Sequence, residues 1–212
     1  MACAICETRR PRRFCPGVRG EICSICCGVE REVTVDCPLD CEFLREARRH
    51  ERKELPDASQ WPNQDITVSE EFLADHEPLL MAVGRGLAAA AFHVGGTIDF
   101  DVREALESLV RTYRTLDSGV YYESVPPNPL AANLYHAVQA AAAEFRRAEQ
   151  QQLGISRTRD ADVMRVVVFL QRAEFDLNNG RRRGRAFLDA LRSLYGDAAA
   201  DPGPAPSSLI LP

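Results

Sequence analysis

Cysteine is missing from most of this chain of 212 residues: all eight cysteines lie between Cys3 and Cys41, and residues 42–212 have none. Long apolar runs are missing too. The longest, such as Leu87–Phe92 and Val166–Leu170, fall far short of the roughly 18 residues that indicate a membrane-spanning helix. The first residues hold no apolar stretch typical of a secretion signal. We therefore expect a cytoplasmic protein without a membrane partner.

Motifs for common catalytic mechanisms are also absent from the sequence. No glycine-rich phosphate loop follows a predicted strand, no G-x-S-x-G occurs, and the cysteine cluster leaves no separate cysteine as a nucleophile. His76, His93 and His136 are too scattered for the Glu-x2-His sites of di-iron bundles. Arg45 and His50 match the loose Arg-x4-6-His pattern of some helical ribonucleases, but an arginine-rich helix produces that pattern by chance. The sequence favours a protein that is not an enzyme.

Helical periodicity is what the chain has from residue 69 onward. Ser69 is placed to cap a first helix, and apolar residues recur at three- and four-residue spacing in the segments that follow. Stops are supplied by Gly95-Gly96, Gly119, Gly154 and the Asn-Asn-Gly run at 178–180. These patterns predict helices over Leu79–Val94, from Asp99 or Asp101 to Leu116, and over Leu130–Leu153, Asp160–Leu177 and about Arg182–Leu194.

The cysteines have the spacing of zinc ligands. Two C-x2-C pairs, Cys3/Cys6 and Cys23/Cys26, each put two thiolates on a tight turn where both can reach one metal ion. A disulfide framework is disfavoured because no secretion signal accompanies it. An iron–sulfur cluster and a metal-free redox switch are the alternatives. Eight thiolates complete two tetrahedral sets, which predicts two structural Zn²⁺ ions bound by Cys3, Cys6, Cys15, Cys23, Cys26, Cys27, Cys37 and Cys41.

Residues 3–41 resemble the B-box type of cross-brace zinc finger, a relative of RING domains. The resemblance rests on Cys3-x2-Cys6, on Phe14-Cys15 and on Glu21-Ile22-Cys23-x2-Cys26. It covers nothing of the helical remainder. It implies a rigid surface that binds another protein and, by analogy with RING domains alone, a ubiquitin-ligase-like activity as an alternative.

Two departures from the B-box pattern decide the ligand assignment. The family usually has an aspartate or cysteine ligand where this chain has Val18, and its closing ligands are often histidines where this chain has Cys37 and Cys41. Cys27 could supply the missing ligand, pointing away from Cys26 in an extended segment. The predicted sites are therefore interleaved along the chain: Cys3, Cys6, Cys23 and Cys26 on one ion, and Cys15, Cys27, Cys37 and Cys41 on the other.

His50 is the remaining candidate ligand near the cysteines. It lies nine residues beyond Cys41, on a helix predicted over Asp40–Leu55, and could replace one thiolate. A solvent-exposed position on that helix is the simpler interpretation.

The expected fold is mainly α, with a small binuclear finger followed by a bundle of about five helices. Residues 1–55 form the finger and its C-terminal helix, 56–68 a linker, 69–196 the bundle, and 197–212 a disordered tail. Trp61, the one tryptophan, is expected to pack one module against the other. Because the bundle has its own apolar stripes, we expect residues 69–196 to stay helical without metal.

Two clusters of arginine could bind an anionic partner, although the net charge of the chain is -5. Solvation of the first cluster and internal ion pairs of the second are the alternatives. The leading functional prediction is a zinc-binding adaptor with a protein partner, and nucleic-acid binding is the second; the oligomeric state stays open. The arginines are Arg9, Arg10, Arg12 and Arg13 in the loop between Cys6 and Cys15, and Arg181, Arg182, Arg183 and Arg185 at the expected start of the last helix.

Overall fold

A computed structural model describes residues 2–51, 57–119 and 121–196. In these residues the protein is mainly helical, as predicted, with a cysteine cluster near its N-terminus. The predicted disordered tail, residues 197–212, lies outside the described residues. The elements are β1 (Arg13–Cys15), β2 (Gly20–Ile22), α1 (Ser24–Glu30), α2 (Glu42–His50), α3 (Glu70–Asp75), α4 (Glu77–His93), α5 (Asp99–Asp117), α6 (Pro129–Leu153), α7 (Asp160–Leu177) and α8 (Ala186–Tyr195).

The bundle consists of α3 to α8, in which α5 packs on α7 and α4 packs on α6. Ser69 caps α3 as predicted, because its hydroxyl accepts a hydrogen bond of 3.1 Å from the Phe72 amide. The described part of the bundle has six helices, close to the expected number of about five, and His76 separates α3 from α4. The predicted stripe of α5 ends at Leu116, which is partly buried, and its other members are buried. Their burial drives the packing: Val102, Ala105, Leu106, Leu109, Val110 and Tyr113 are each at most 5% exposed.

Two glycines inside α4 allow close helix packing. A Cβ atom on Gly86 would lie 2.7 Å from the Cβ atom of Ala141 on α6, and one on Gly84 would overlap the Tyr195 ring of α8. Glycine normally costs about 1 kcal/mol inside a helix relative to alanine. That cost is accepted here because any larger residue would push α4 away from its neighbours.

The last helix begins later than the sequence suggested. The arginine run was expected to start it, but α8 begins at Ala186 and the run precedes it. Its first turn is capped from another helix: the Asp99 carboxylate accepts hydrogen bonds of 3.1 Å from the amides of Phe187 and Leu188. Burial raises the pKa of Asp99 to about 6, and the two amides oppose that rise. The arginines therefore do not oppose the helix dipole from within its first turn.

The predicted linker lies along the bundle over residues 57–68. Ile66 is buried in the bundle core, and its carbonyl accepts a hydrogen bond of 2.8 Å from Arg172 on α7. The Trp61 indole donates to the Asp176 carboxylate at 2.9 Å and faces the Arg172 guanidinium. Trp61 thus contacts α7 of the bundle, and these two contacts do not involve the finger.

The finger has a separate and much smaller core. Besides cysteines, its buried apolar residues are Ile22, Val35 and Leu44. Such a core is too small to stabilise a fold of this size unaided, so a metal or another constraint is needed. Strands β1 and β2 pair as an antiparallel hairpin, and α1 follows directly.

Candidate metal centre

Four cysteine sulfurs lie together where α1 begins. The Sγ atoms of Cys3, Cys6, Cys23 and Cys26 are all within 4.8 Å of one another. Sulfurs around a tetrahedral zinc ion are roughly 3.8 Å apart, since each Zn–S bond is about 2.3 Å long. The structure therefore brings together the first of the two predicted ligand sets, in an arrangement that a metal ion fits.

The hairpin and α1 position these sulfurs. The Ala4 amide donates to the Glu21 carbonyl at 2.9 Å, which fixes the first cysteine pair beside β2. Cys23 is the N-cap of α1, and its Sγ atom accepts a hydrogen bond of 3.4 Å from the Cys26 amide. The Cys23 amide in turn donates to the Cys3 sulfur at 3.2 Å. Backbone donors of this kind orient thiolate ligands and offset part of their charge.

Hydrogen bonding and burial shift the pKa values of two of these thiols in opposite directions. A hydrogen bond from the Thr8 side chain is the main cause that lowers the pKa of Cys6 to about 5. Burial raises the pKa of Cys26 to about 12. Close thiols cannot all ionise in a partly buried cluster unless a positive charge compensates them. The donor set suits a soft divalent ion with four thiolate ligands.

The other four cysteines share a cavity but are more widely spaced. Cys15, Cys27, Cys37 and Cys41 all line one cavity of about 10 Å³, which is close to the volume of a single water-sized sphere. Within the described residues, no second group of three or more ligand atoms meets the 4.8 Å spacing of the first cluster. One four-cysteine group could thus hold a metal ion as the chain stands.

Two arginines lie close to the Cys27 sulfur. The Arg13 guanidinium lies 3.8 Å from Cys27 Sγ and stacks on the Phe43 ring, 3.9 Å from its centroid. The Arg31 guanidinium lies 3.9 Å from the same sulfur.

The backbone at Cys26 and Cys27 corrects one prediction. An extended segment was expected to point the two sulfurs apart, but both residues lie on α1. Consecutive residues of a helix also point in different directions, about 100° apart. The helix therefore sends Cys26 into the first cluster and Cys27 into the cavity.

His50 lies away from both cysteine groups. Its side chain is 76% exposed, and Nε2 is 2.9 Å from the Glu46 carboxylate. The helix that carries it, α2, ends at His50 in the structure; residues 52–55 of the predicted helix lie outside the described residues.

The two arginine clusters have different surroundings. In the first, Arg10 and Arg12 are mainly exposed, while Arg13 turns into the cysteine cavity and a hydrogen bond with Cys23 raises the pKa of Arg9. In the second, most side chains turn toward the finger. Arg181 donates to the Arg31 carbonyl, Arg183 approaches Asp36, Arg185 donates to the Cys37 carbonyl and pairs with Asp36, and Arg182 is exposed.

A buried carboxylate joins the finger to the bundle. Glu32 is fully buried, with φ at 54°, in the loop between α1 and Cys37. It accepts hydrogen bonds from Arg48 at 2.7 Å, from the Asn179 amide group at 2.8 Å and from the Arg185 backbone amide at 3.0 Å. Its own carbonyl accepts from the Arg183 amide at 2.8 Å. We call Glu32 and the three residues that donate to its carboxylate, Arg48, Asn179 and Arg185, the Glu32 latch.

Sequence reasoning missed the Glu32 latch. A glutamate in a short charged loop is ordinarily solvated, and nothing around Glu32 in the sequence marks burial. The one available signal was the arginine run before α8, for which internal ion pairs were an alternative. In the structure Arg183 and Arg185 both form ion pairs with Asp36, as that alternative describes.

A scan against protein-family models found no match to this chain, and searches of the curated proteins and of the solved structures found none either. The B-box type thus rests on the sequence resemblance alone. None of the helices in the described residues is long and apolar enough to cross a bilayer.

Proposed function

We propose that this protein is a zinc-binding adaptor whose finger presents a surface to a protein partner. The observation that carries the proposal is the cluster of four cysteine sulfurs within 4.8 Å. Four thiolates complete the tetrahedral coordination of a zinc ion and leave no open position for a substrate or water. The ion would therefore supply folding free energy to the finger, and the finger would act through its surface.

A second zinc ion in the cavity completes the proposed finger. Support comes from the convergence of the four remaining cysteines on one cavity and from the two guanidinium groups beside Cys27. Four thiolates on one Zn²⁺ carry a net charge of about −2, which nearby arginines would offset. The sulfurs would need to move closer together, and binding of the ion would supply that free energy. The arrangement is that of a B-box-like cross-brace.

The finger exposes apolar side chains suited to a protein partner. Ile25 is 54% exposed and Val29 is 65% exposed, and their four-residue spacing puts them on one face of α1. Phe14, 58% exposed, is the exposed aromatic residue of β1. Exposed apolar side chains on a metal-stabilised scaffold are typical of interaction surfaces. Thiolates stay reduced in the cytoplasm, which is the compartment we propose.

We expect the face of α1 to determine partner capture. The zinc-loaded chain, fixed to beads, should enrich specific proteins from a lysate of its source organism. Changing Ile25 and Val29 together to glutamate should abolish that enrichment, because a charge cannot enter an apolar interface without a large desolvation cost. Leu194→Glu is the matched control, since Leu194 is 71% exposed on the bundle. Quantitative mass spectrometry of the bound proteins gives the readout.

The same experiment can contradict the proposal. If the α1 variant and the Leu194 control capture the same proteins as the unchanged chain, the finger face is not the binding surface. If the zinc-loaded chain enriches no protein over empty beads, the adaptor function is wrong.

A further inference from the structure

A groove of about 380 Å³ opens on the side of the bundle, between the start of α5 and the loop that leads to α8. Its lining includes Phe100 and Arg103 from α5, and Gly180, Arg181 and Arg182 from the loop. None of the described lining residues is acidic. The charged side chains that line the groove are therefore all arginines, in a protein whose net charge is -5.

Phe100 is an exposed aromatic ring at the mouth of this groove. It is 59% exposed, whereas its neighbours Asp99 and Asp101 are at most 4% exposed. The first turn of α5 thus turns its two acidic side chains inward and its phenyl ring outward. An exposed ring beside guanidinium groups can stack a nucleobase while the arginines contact phosphate.

The three arginines of the groove are not equivalent. Arg103 donates two hydrogen bonds to Glu174, at 3.0 and 3.1 Å. Arg181 donates to the Arg31 carbonyl at 2.8 Å and pairs with the Glu51 carboxylate at 3.4 Å. For Arg182, no hydrogen bond or ion pair is recorded within the described residues. Two guanidinium groups are therefore held in place at the groove, and a third is available to a ligand.

We propose that this groove binds a nucleotide unit, with the base stacked on Phe100 and the phosphate on Arg181 and Arg182. The ligand chemistry is a planar base joined to a phosphate, which a free nucleotide and a single-stranded nucleic acid both supply. A paired duplex does not qualify, because its bases are stacked inside the helix and cannot reach the ring. This site is independent of the finger surface proposed above, so either can fail without the other.

Fluorescence anisotropy of the full zinc-loaded chain tests the groove. The probes are a short labelled single-stranded RNA, the same sequence as a duplex, and a fluorescently labelled ATP, with unlabelled ATP as competitor. We expect Phe100→Ala to weaken binding of the single strand about tenfold, as for the loss of one stacked base. The Phe100→Tyr variant should bind the single strand as tightly as the unchanged chain, because it keeps an aromatic ring. Arg182→Ala should weaken binding and reduce its salt dependence by about one counterion, and Arg182→Lys should keep the salt dependence.

Arg147→Ala is the matched control, because Arg147 is 67% exposed on α6 and does not line the groove. Both Phe100 and Arg182 are exposed, so their variants should keep the helical circular dichroism of the unchanged chain. Competition by ATP would assign the site to free nucleotides, and binding of the strand without competition would assign it to single-stranded nucleic acid. Absence of binding by both ligands, stronger binding of the duplex than of the strand, or equal affinities of the Phe100→Ala and Arg147→Ala variants would each overturn the proposal.

Discussion

Replacing Cys26 with serine should unfold the finger while the bundle keeps its helices. Cys26 is 6% exposed and contributes one of the four clustered sulfurs, so serine would leave the ion with three thiolates. Structural zinc contributes on the order of 10 kcal/mol to folding in modules of this kind. The buried apolar residues Ile22, Val35 and Leu44 cannot replace that contribution.

Limited proteolysis and metal analysis give the readouts for Cys26→Ser. We expect rapid cleavage before residue 51, less bound zinc, and circular dichroism that retains most of its helical signal. Ser24→Ala is the control, because Ser24 is exposed on the same helix α1. Retention of the full zinc content and protease resistance by Cys26→Ser would contradict a structural ion at this cluster. Loss of most of the helical signal would instead show that the bundle depends on the finger.

Replacing Glu32 with alanine should destabilise the whole chain by about 3–5 kcal/mol, the usual cost of breaking a buried ion pair. The change would remove one of the two carboxylates that pair with the Arg48 guanidinium at 2.7 Å, and Asp189 would be the one that remains. It would also leave the Asn179 side chain and the Arg185 amide without acceptors. Desolvated groups that lose their partners account for most of the loss.

Denaturant unfolding of the zinc-loaded protein measures the effect of the Glu32 latch. Glu32→Gln should lose less than Glu32→Ala, because the amide retains an oxygen acceptor for the Arg185 amide. Glu46→Ala, at a glutamate 58% exposed, should change the free energy of unfolding by less than about 0.5 kcal/mol. A loss below about 1 kcal/mol for Glu32→Ala would show that the latch does not join the finger to the bundle.

Local patterns predicted much of the helical architecture. The stripe on α5 and the bounds of α7 are confirmed, because a helix that buries one face must repeat apolar residues at its own period. The first cysteine cluster is confirmed as a group for a related reason. Two C-x2-C pairs constrain their sulfurs locally, and backbone hydrogen bonds to β2 and Cys23 bring Cys3 and Cys6 to Cys23 and Cys26.

The long-range polar contacts could not be predicted from the sequence. Glu32 is joined to Asn179 and Arg185 from the other end of the chain, and its left-handed backbone is one that glutamate rarely adopts. Asp99 caps α8 from α5, which moved the start of that helix past the arginine run. Sequence periodicity does not predict such pairs, because each pair forms only when separate helices and loops pack against one another.

Native mass spectrometry of the freshly purified chain tests the two-ion finger most directly, with Cys27→Ser and His50→Ala beside it. We predict two zinc ions in the unchanged chain and two in His50→Ala, because the His50 side chain is exposed. We predict one in Cys27→Ser, because Cys27 lines the cavity of the second cysteine set. One zinc ion in the unchanged chain, or two in Cys27→Ser with one in His50→Ala, would contradict the interleaved pair of four-cysteine sites.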